Sequence, residues 1–246
     1  MSEILYETEF ALHARDTDYT GAWRPSAIML AMQQAAEVHA QRLGAGFDEL
    51  RAANFAWVLS RSSVRMNRYP RIEQTVRLRT WPAKMRHLIY PRYFEFETLE
   101  GEPLGCASTA WVILDMGERR MAADPGKVGI TVPENELRKP PLPMPRVPRM
   151  LETVPQVFSR RVVYEDVDVN GHVNNTRYID WLCDALEYER FAQGSLGSLN
   201  IAYESEIRPG EEVVLELARK DESFSMSGRV GERACFALTG EFLRCD

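Results

Sequence analysis

Asp168-Val169-Asn170-Gly171-His172-Val173-Asn174-Asn175 gathers a carboxylate, an imidazole and carboxamides around one glycine. Apolar residues at strand spacing precede the stretch (Val157, Phe158, Val162, Val163), and a helical pattern follows it (Tyr178, Ile179, Trp181, Leu182, Ala185). It reads as a polar turn between a strand and a helix, where chemistry is often placed. Asn, Asp and Gly are equally the residues of turns and helix caps, so local features leave a catalytic and a structural reading open.

The same order occurs upstream. A strand pattern at 5–14 enters the turn Asp16-Thr17-Asp18-Tyr19-Thr20-Gly21. Pro25-Ser26 opens a helix with Ile28, Met32, Ala35, Ala36, His39 and Leu43 at helical spacing, and Gly44 stops it. Asp18 and Asp168 are 150 residues apart, and so are Gly21 and Gly171. Strand-like runs follow the first helix at 55–66, 74–82, 87–97 and 105–114. After a strand at 156–165 and a second helix at about 176–191, further runs lie at 198–207, 211–219, 222–230 and 233–244. Residues 117–155 hold eight prolines and few apolar runs, the composition of an extended connector.

An internal duplication accounts for this order: strand, turn, helix and four strands, made twice. The expected fold is α+β, with an antiparallel sheet wrapped around a long helix in each repeat. The two sheets would stand side by side as one, with both helices on its concave face. Residues 1–135 form the N-terminal unit, 136–155 the proline-rich linker and 156–246 the C-terminal unit.

The 246 residues are 45% hydrophobic and 27% charged, enough apolar material for a core without disulfide or metal staples. Cys106, Cys183, Cys235 and Cys245 are scattered with no CxxC pair, which predicts a reducing compartment and no structural metal. The N-terminal residues show neither a secretory nor a transit pattern, and no apolar run approaches the ~20 residues of a membrane span. A cytoplasmic location is the expectation. The net charge of −6 argues against nucleic acid as a partner. Nine basic residues from Arg61 to Arg92 enclose one acid, Glu73. The island reads either as a solvated strand face or as a dock for an acidic partner.

These details resemble the acyl-ACP thioesterases, double hot-dog proteins, over nearly the whole chain. Asp168 through Trp181 resembles that family's signature. Met32-Gln33-Gln34-Ala35-Ala36-Glu37-Val38-His39-Ala40, Trp57-Val58-Leu59-Ser60-Arg61, Arg68-Tyr69-Pro70, Thr80-Trp81-Pro82 and Ala107-Ser108 with Trp111-Val112 and Asp115 are also similar to it. The resemblance implies hydrolysis of the thioester between a fatty acyl chain and acyl carrier protein (ACP), with no cofactor. Asp168, Asn170 and His172 fall on the family's catalytic positions. Glu206, from Tyr203-Glu204-Ser205-Glu206, falls on its catalytic carboxylate. Many plant members carry a Cys after that Glu; Ile207 stands here, which excludes a Cys nucleophile at that position.

Thioester hydrolysis needs an activated water, a polarised carbonyl and a stabilised leaving thiolate. His172 suits general base work near neutral pH. Asn170 can hold the carbonyl oxygen or the water, Glu206 can take a proton or orient His172, and Asp168 can orient Asn170 and the turn. Backbone N–H groups at the start of the following helix can polarise the carbonyl. Asn174 and Asn175 fit either a helix cap or a substrate contact. Met29, Met32 and Trp23 fit an acyl pocket or ordinary core, and His39 reads as packed. The acidity of ACP suggests docking on Arg65, Arg68 and Arg71. An acyl-CoA thioesterase, a hot-dog dehydratase and a non-catalytic acyl-binding regulator are the competing functions. Monomer and homodimer are both compatible with the duplication.

Overall fold

Pro25 starts α1 (Pro25–Arg42), where its missing N–H costs nothing. The helix ends in a Schellman arrangement: Gly44 adopts φ 69, the Ala45 N–H donates to Ala40 O at 2.9 Å, and the Gly44 N–H donates to Gln41 O at 3.0 Å. Ile28, Met29, Met32, Ala35, Ala36 and His39 make its buried stripe. The computed structural model describes residues 4–122, 129, 132 and 138–244.

β1 (Tyr6–Ala11) precedes α1. A short helix absent from the expectation, α2 (Phe47–Ala52), follows it and packs Leu50 with Tyr90 and Ile113. Then come β2 (Phe55–Met66), β3 (Thr75–Pro82), β4 (Tyr90–Glu97), β5 (Pro103–Asp115) and the two-residue β6 (Arg120–Met121). The second half holds β7 (Gln156–Arg161), α3 (Arg177–Ala185), α4 (Tyr188–Phe191), β8 (Gly194–Tyr203), β9 (Glu212–Lys220), β10 (Ser223–Val230) and β11 (Arg233–Arg244).

Two expectations change. The helix expected over about 176–191 is broken at Glu187, whose φ of 70 turns the chain so that Phe191 packs edge-on against Phe242. The strand expected over 156–165 stops at Arg161; Tyr164–Asp166 forms a 3-10 turn, and β7 is an edge strand with Val157 and Phe158 exposed.

All pairings in the sheet are antiparallel, in the order β1-β3-β4-β5-β2-β8-β11-β10-β9-β7, with β6 on β5. The order reads the same from either edge: the β2–β8 ladder joins two copies of one five-strand plan. Inward residues of both copies, among them Leu78, Phe94, Val64, Ile201, Leu238 and Met226, form one core with α1 and α3. This is the double hot-dog arrangement, with one sheet and one core.

The duplication extends to single hydrogen bonds. Trp23 N–H donates to Pro70 O at 2.9 Å, and Val173 N–H to Ile207 O at 2.8 Å. Leu12 N–H donates to Gln74 O at 3.0 Å, and Val162 N–H to Glu211 O at 2.9 Å. Turns and helices therefore correspond at an offset of 150 residues, and the strands near the join at 137. The second offset carries Ser63 onto Asn200, its own partner across the β2–β8 ladder, so a two-fold axis passes between them.

The linker crosses the face of the sheet away from the helices. Ser108 Oγ donates to Pro143 O at 2.7 Å, Asn200 Nδ2 to Arg146 O at 3.0 Å, and Leu151 N–H to Ser225 Oγ at 3.1 Å. Among its described residues, Leu142, Pro145 and Pro148 are the ones it buries. That spacing of three is the period of polyproline II. The expected boundary between residues 135 and 136 lies outside the described residues, as do Pro125, Pro133 and Cys245.

Candidate active site

Asp166 anchors the loop that carries the site. It is fully buried and accepts from Val163 N–H at 2.9 Å, Trp181 Nε1 at 3.2 Å, Arg160 Nη2 at 3.4 Å and Arg177 Nε at 3.5 Å. Burial alone would raise its pKa. The Val163 N–H, the Trp181 indole and the two guanidinium groups outweigh burial and hold it below the usual carboxylate range. No sequence pattern singles this residue out, although its counterpart Asp16 accepts the His13 N–H in the same way.

Two residues on, Val169–Gly171 forms a three-residue hairpin loop. Asp168 N–H donates to His172 O at 3.0 Å and Gly171 N–H to Asp168 O at 3.0 Å, with Gly171 at φ 78. A residue without Cβ suits that left-handed position. Asp168 Oδ1 accepts the Asn170 N–H at 2.9 Å and lies 3.7 Å from His172 Nδ1. Asp168 Oδ2 accepts from Asn174 Nδ2 at 3.5 Å. His172 Nδ1 is also 3.3 Å from Val173 O. Both neighbours of Nδ1 are acceptors, so the neutral ring carries its proton there and leaves Nε2 free to accept one. The Asn170 side chain stands exposed at the loop tip.

Asn174 closes the turn ahead of α3: its Oδ1 accepts Thr176 N–H at 2.9 Å and Thr176 Oγ1 at 2.8 Å. The Asn175 N–H meets no acceptor among the described residues. Asn175 Oδ1 is buried, without a partner, in a cavity also lined by Met29 and Met32. Trp23 does not line that cavity; it packs edge-on against Phe10 and Phe96.

Glu206 lies beyond β8 rather than on the expected strand. The Val173–Ile207 hydrogen bond sets its backbone against that of His172. Its exposed side chain borders a cleft of about 420 Å³ with Arg119, Arg208, Glu211 and Arg233. Arg233 donates to Glu206 O and pairs with Glu211 at 2.7 Å. Among the described residues no hydrogen bond or ion pair joins the Glu206 carboxylate to His172. Both carboxylates act on one phenol: burial chiefly, then Cys235, Asp168 and Glu206, push the Tyr178 pKa up. Ile207 is fully buried in the core.

The duplicate hairpin shows the same frame without this chemistry. Thr20 stands at the position of Asn170 and Ala22 at that of His172, while the strand offset sets Tyr69 at that of Glu206. Asp18 Oδ1 is occupied by Thr20 N–H at 2.8 Å and Thr20 Oγ1 at 2.6 Å. Tyr69 donates to Leu196 O at 2.8 Å. Tyr19 clasps this hairpin to the second half through a 2.5 Å hydrogen bond to Tyr188 O, whereas its counterpart Val169 is 99% exposed.

Three arginines of the basic island are paired with acids in space. Arg68 pairs with Glu102 at 2.5 Å, Arg77 with Glu9 at 2.8 Å, and Arg79 with Glu7 at 2.5 Å and Glu97 at 2.6 Å. Arg92 is buried 3.0 Å from His39 Nδ1, and burial lowers its pKa to about 10. Arg71 donates to Thr20 O at 2.6 Å, and Arg65 is exposed. Burial raises the Cys183 pKa, which does not suit a nucleophile. Among the described residues no cluster of His, Cys, Asp and Glu is placed to hold a metal ion, and no helix is long and apolar enough to cross a membrane.

Residues 3–126 match the acyl-ACP thioesterase N-terminal domain and residues 152–231 the C-terminal domain. The chain belongs to the acyl-ACP thioesterase family. It is 26% identical over 225 residues to a chloroplastic palmitoyl-acyl carrier protein thioesterase of Cuphea hookeriana, covering 87% of this chain and 54% of that protein. It is 24% identical over 226 residues to a chloroplastic dodecanoyl-[acyl-carrier-protein] hydrolase of Cinnamomum camphora, covering 82% and 56%. The chain spans about half the length of the curated relatives it matches. In fold it is similar to the crystal structure of an acyl-ACP thioesterase from Bacteroides thetaiotaomicron, with a TM-score of 0.89 at 22% identity over 97% of this chain and 98% of that one. The 12:0-ACP thioesterase from Umbellularia californica gives a TM-score of 0.81 at 20% identity over 100% and 99%.

Proposed function

We propose that this member of the family hydrolyses fatty acyl-ACP to free fatty acid and holo-ACP. The observation that carries the proposal is His172, with Nδ1 facing the acceptors Asp168 Oδ1 and Val173 O, on only one of two matched hairpins. His172 Nε2 takes a proton from water as the water oxygen attacks the thioester carbonyl carbon. The Asn175 N–H and the Asn170 amide stabilise the resulting oxyanion. The C–S bond then breaks, and the departing thiolate takes the proton from His172. Water has added across the thioester, and no cofactor enters the balance. Glu206 orients the water or His172, while Asp168 and Asn174 hold the hairpin.

ACP docks on the face that carries Arg65, Arg68 and Arg71. The described cysteines Cys106, Cys183 and Cys235 are free, which suits a reducing compartment such as the cytoplasm.

The test is hydrolysis of matched acyl-ACP and acyl-CoA by wild type, His172→Ala and Glu206→Ala. Thiol release from acyl-ACP, slowed by about 10²- to 10⁴-fold in His172→Ala, is expected. Faster turnover of acyl-CoA would redirect the proposal to that substrate, and binding without thiol release would make the chain an acyl-binding regulator.

A further inference from the structure

Three buried polar atoms without a hydrogen-bond partner meet beside the two-fold axis: Gln33 Oε1 on α1, Ser62 Oγ on β2 and Asn175 Oδ1 ahead of α3. They line one cavity of about 10 Å³, room for a single water-sized group. Ser62 is 1% exposed. The Tyr203 hydroxyl lies within reach of both Ser62 and Asn175 O, the latter at 3.5 Å, so an arriving hydroxyl competes with it for the Ser62 proton. Burying such groups unpaired is unfavourable, so a site that retains three of them is completed by a bound water or by a polar group of a ligand that displaces it.

The duplication supplies an internal control. At the corresponding positions around the silent hairpin stand Cys183 for Gln33, Leu199 for Ser62 and Pro25 for Asn175. No unpartnered polar atom occurs there among the described residues. The polar trio is confined to the side that holds His172.

We propose that Gln33, Ser62 and Asn175 form a subsite for a hydroxyl group near the thioester end of the acyl chain, so that 3-hydroxyacyl thioesters are preferred substrates. This rests on the hydrolase reading and names its substrate class. The Asn175 N–H is offered to the thioester carbonyl, so an oxygen against the Asn175 side chain belongs to one of the first carbons beyond it. A hydroxyl has one proton and two lone pairs: it donates to one amide oxygen and accepts from Ser62 and, once the other carboxamide is turned, from that N–H. An unsubstituted chain offers none of the three a hydrogen bond. Met29 and Met32 form the apolar wall, and their unbranched thioethers can shift to admit the chain.

The test compares saturated and 3-hydroxyacyl-ACP of equal length, across several lengths, with the full chain. Wild type is expected to favour the hydroxylated substrate by about ten-fold or more in kcat/KM, because a site built around a substrate hydroxyl rejects the analogue lacking it. Ser62→Ala and Gln33→Leu are each expected to bring the ratio towards one, with thermal melting confirming that both fold. A wild-type ratio of one or below overturns the proposal, as does a ratio that neither variant changes. An ordered water on the three groups alongside equal kinetics also overturns it. If neither thioester is hydrolysed, the hydrolase reading fails. Calorimetric binding of 3-hydroxy and unsubstituted fatty acids to wild type and Ser62→Ala then decides the subsite: preference for the hydroxy acid, lost in Ser62→Ala, supports it, and equal affinities overturn it.

Discussion

His172→Ala tests the free Nε2 directly. Loss of a general base is expected to lower kcat by about 10²- to 10⁴-fold, with thermal stability little changed because the ring is partly exposed. Single turnover in oxygen-labelled water, followed by mass analysis of the protein, tests the route. Direct attack leaves Glu206 unlabelled, and label in Glu206 would replace it with an anhydride. Asp166 governs stability instead. A carboxylate held low in the folded chain contributes stability above the ordinary carboxylate range, and that contribution is lost as pH falls through the folded value. Asp166→Asn is expected to flatten this acid-side slope and to cost about 2–4 kcal/mol at neutral pH, read by denaturant unfolding across pH. Asp168, Asn170 and His172 were legible in sequence because they share one hairpin. Asp166 was not: its worth lies in Trp181, Arg160 and Arg177, which only the fold brings to it.

At the scale of elements, α1 and β3 were legible because burial imposes a clear period on them. The break after α3, at Glu187, was not, because the sequence from Tyr178 to Phe191 keeps an apolar pattern, while the contacts that follow the break, Tyr188 O to Tyr19 and Phe191 to Phe242, reach residues far away in the chain. Glycine adopts that backbone without strain. Glu187→Gly is therefore expected to stabilise the chain by about 1 kcal/mol, less the chain entropy glycine adds, measured as a shift in Tm. The net charge of the basic island depends on the same kind of contact. Charges counted along one segment omit Glu7, Glu9, Glu97 and Glu102, which the folded chain places against three of its arginines.

At the scale of the molecule, the β2–β8 ladder and shared core make the halves one cooperative unit. Denaturant unfolding followed by far-UV and tryptophan signals is expected to show one coincident transition; two separated transitions would show that the halves fold independently. Long-range charge also belongs here. Reversal of Arg65, Arg68 and Arg71 is expected to lower kcat/KM for acyl-ACP, most at low salt, while leaving a short acyl-CoA little affected. An unchanged value for acyl-ACP would remove that face as the dock. Glu206 illustrates what sequence separation hides: it follows His172 by two helices and a strand, and the Val173–Ile207 bond sets the two backbones side by side.

The clasp between Tyr19 and Tyr188 has a consequence for stoichiometry. A symmetric pair of identical units would offer two equivalent mouths and bind two equivalents of ligand. Here one hairpin is tied down and carries Thr20 and Ala22, so titration with a tight-binding, non-hydrolysable acyl thioester analogue should saturate at one equivalent per chain.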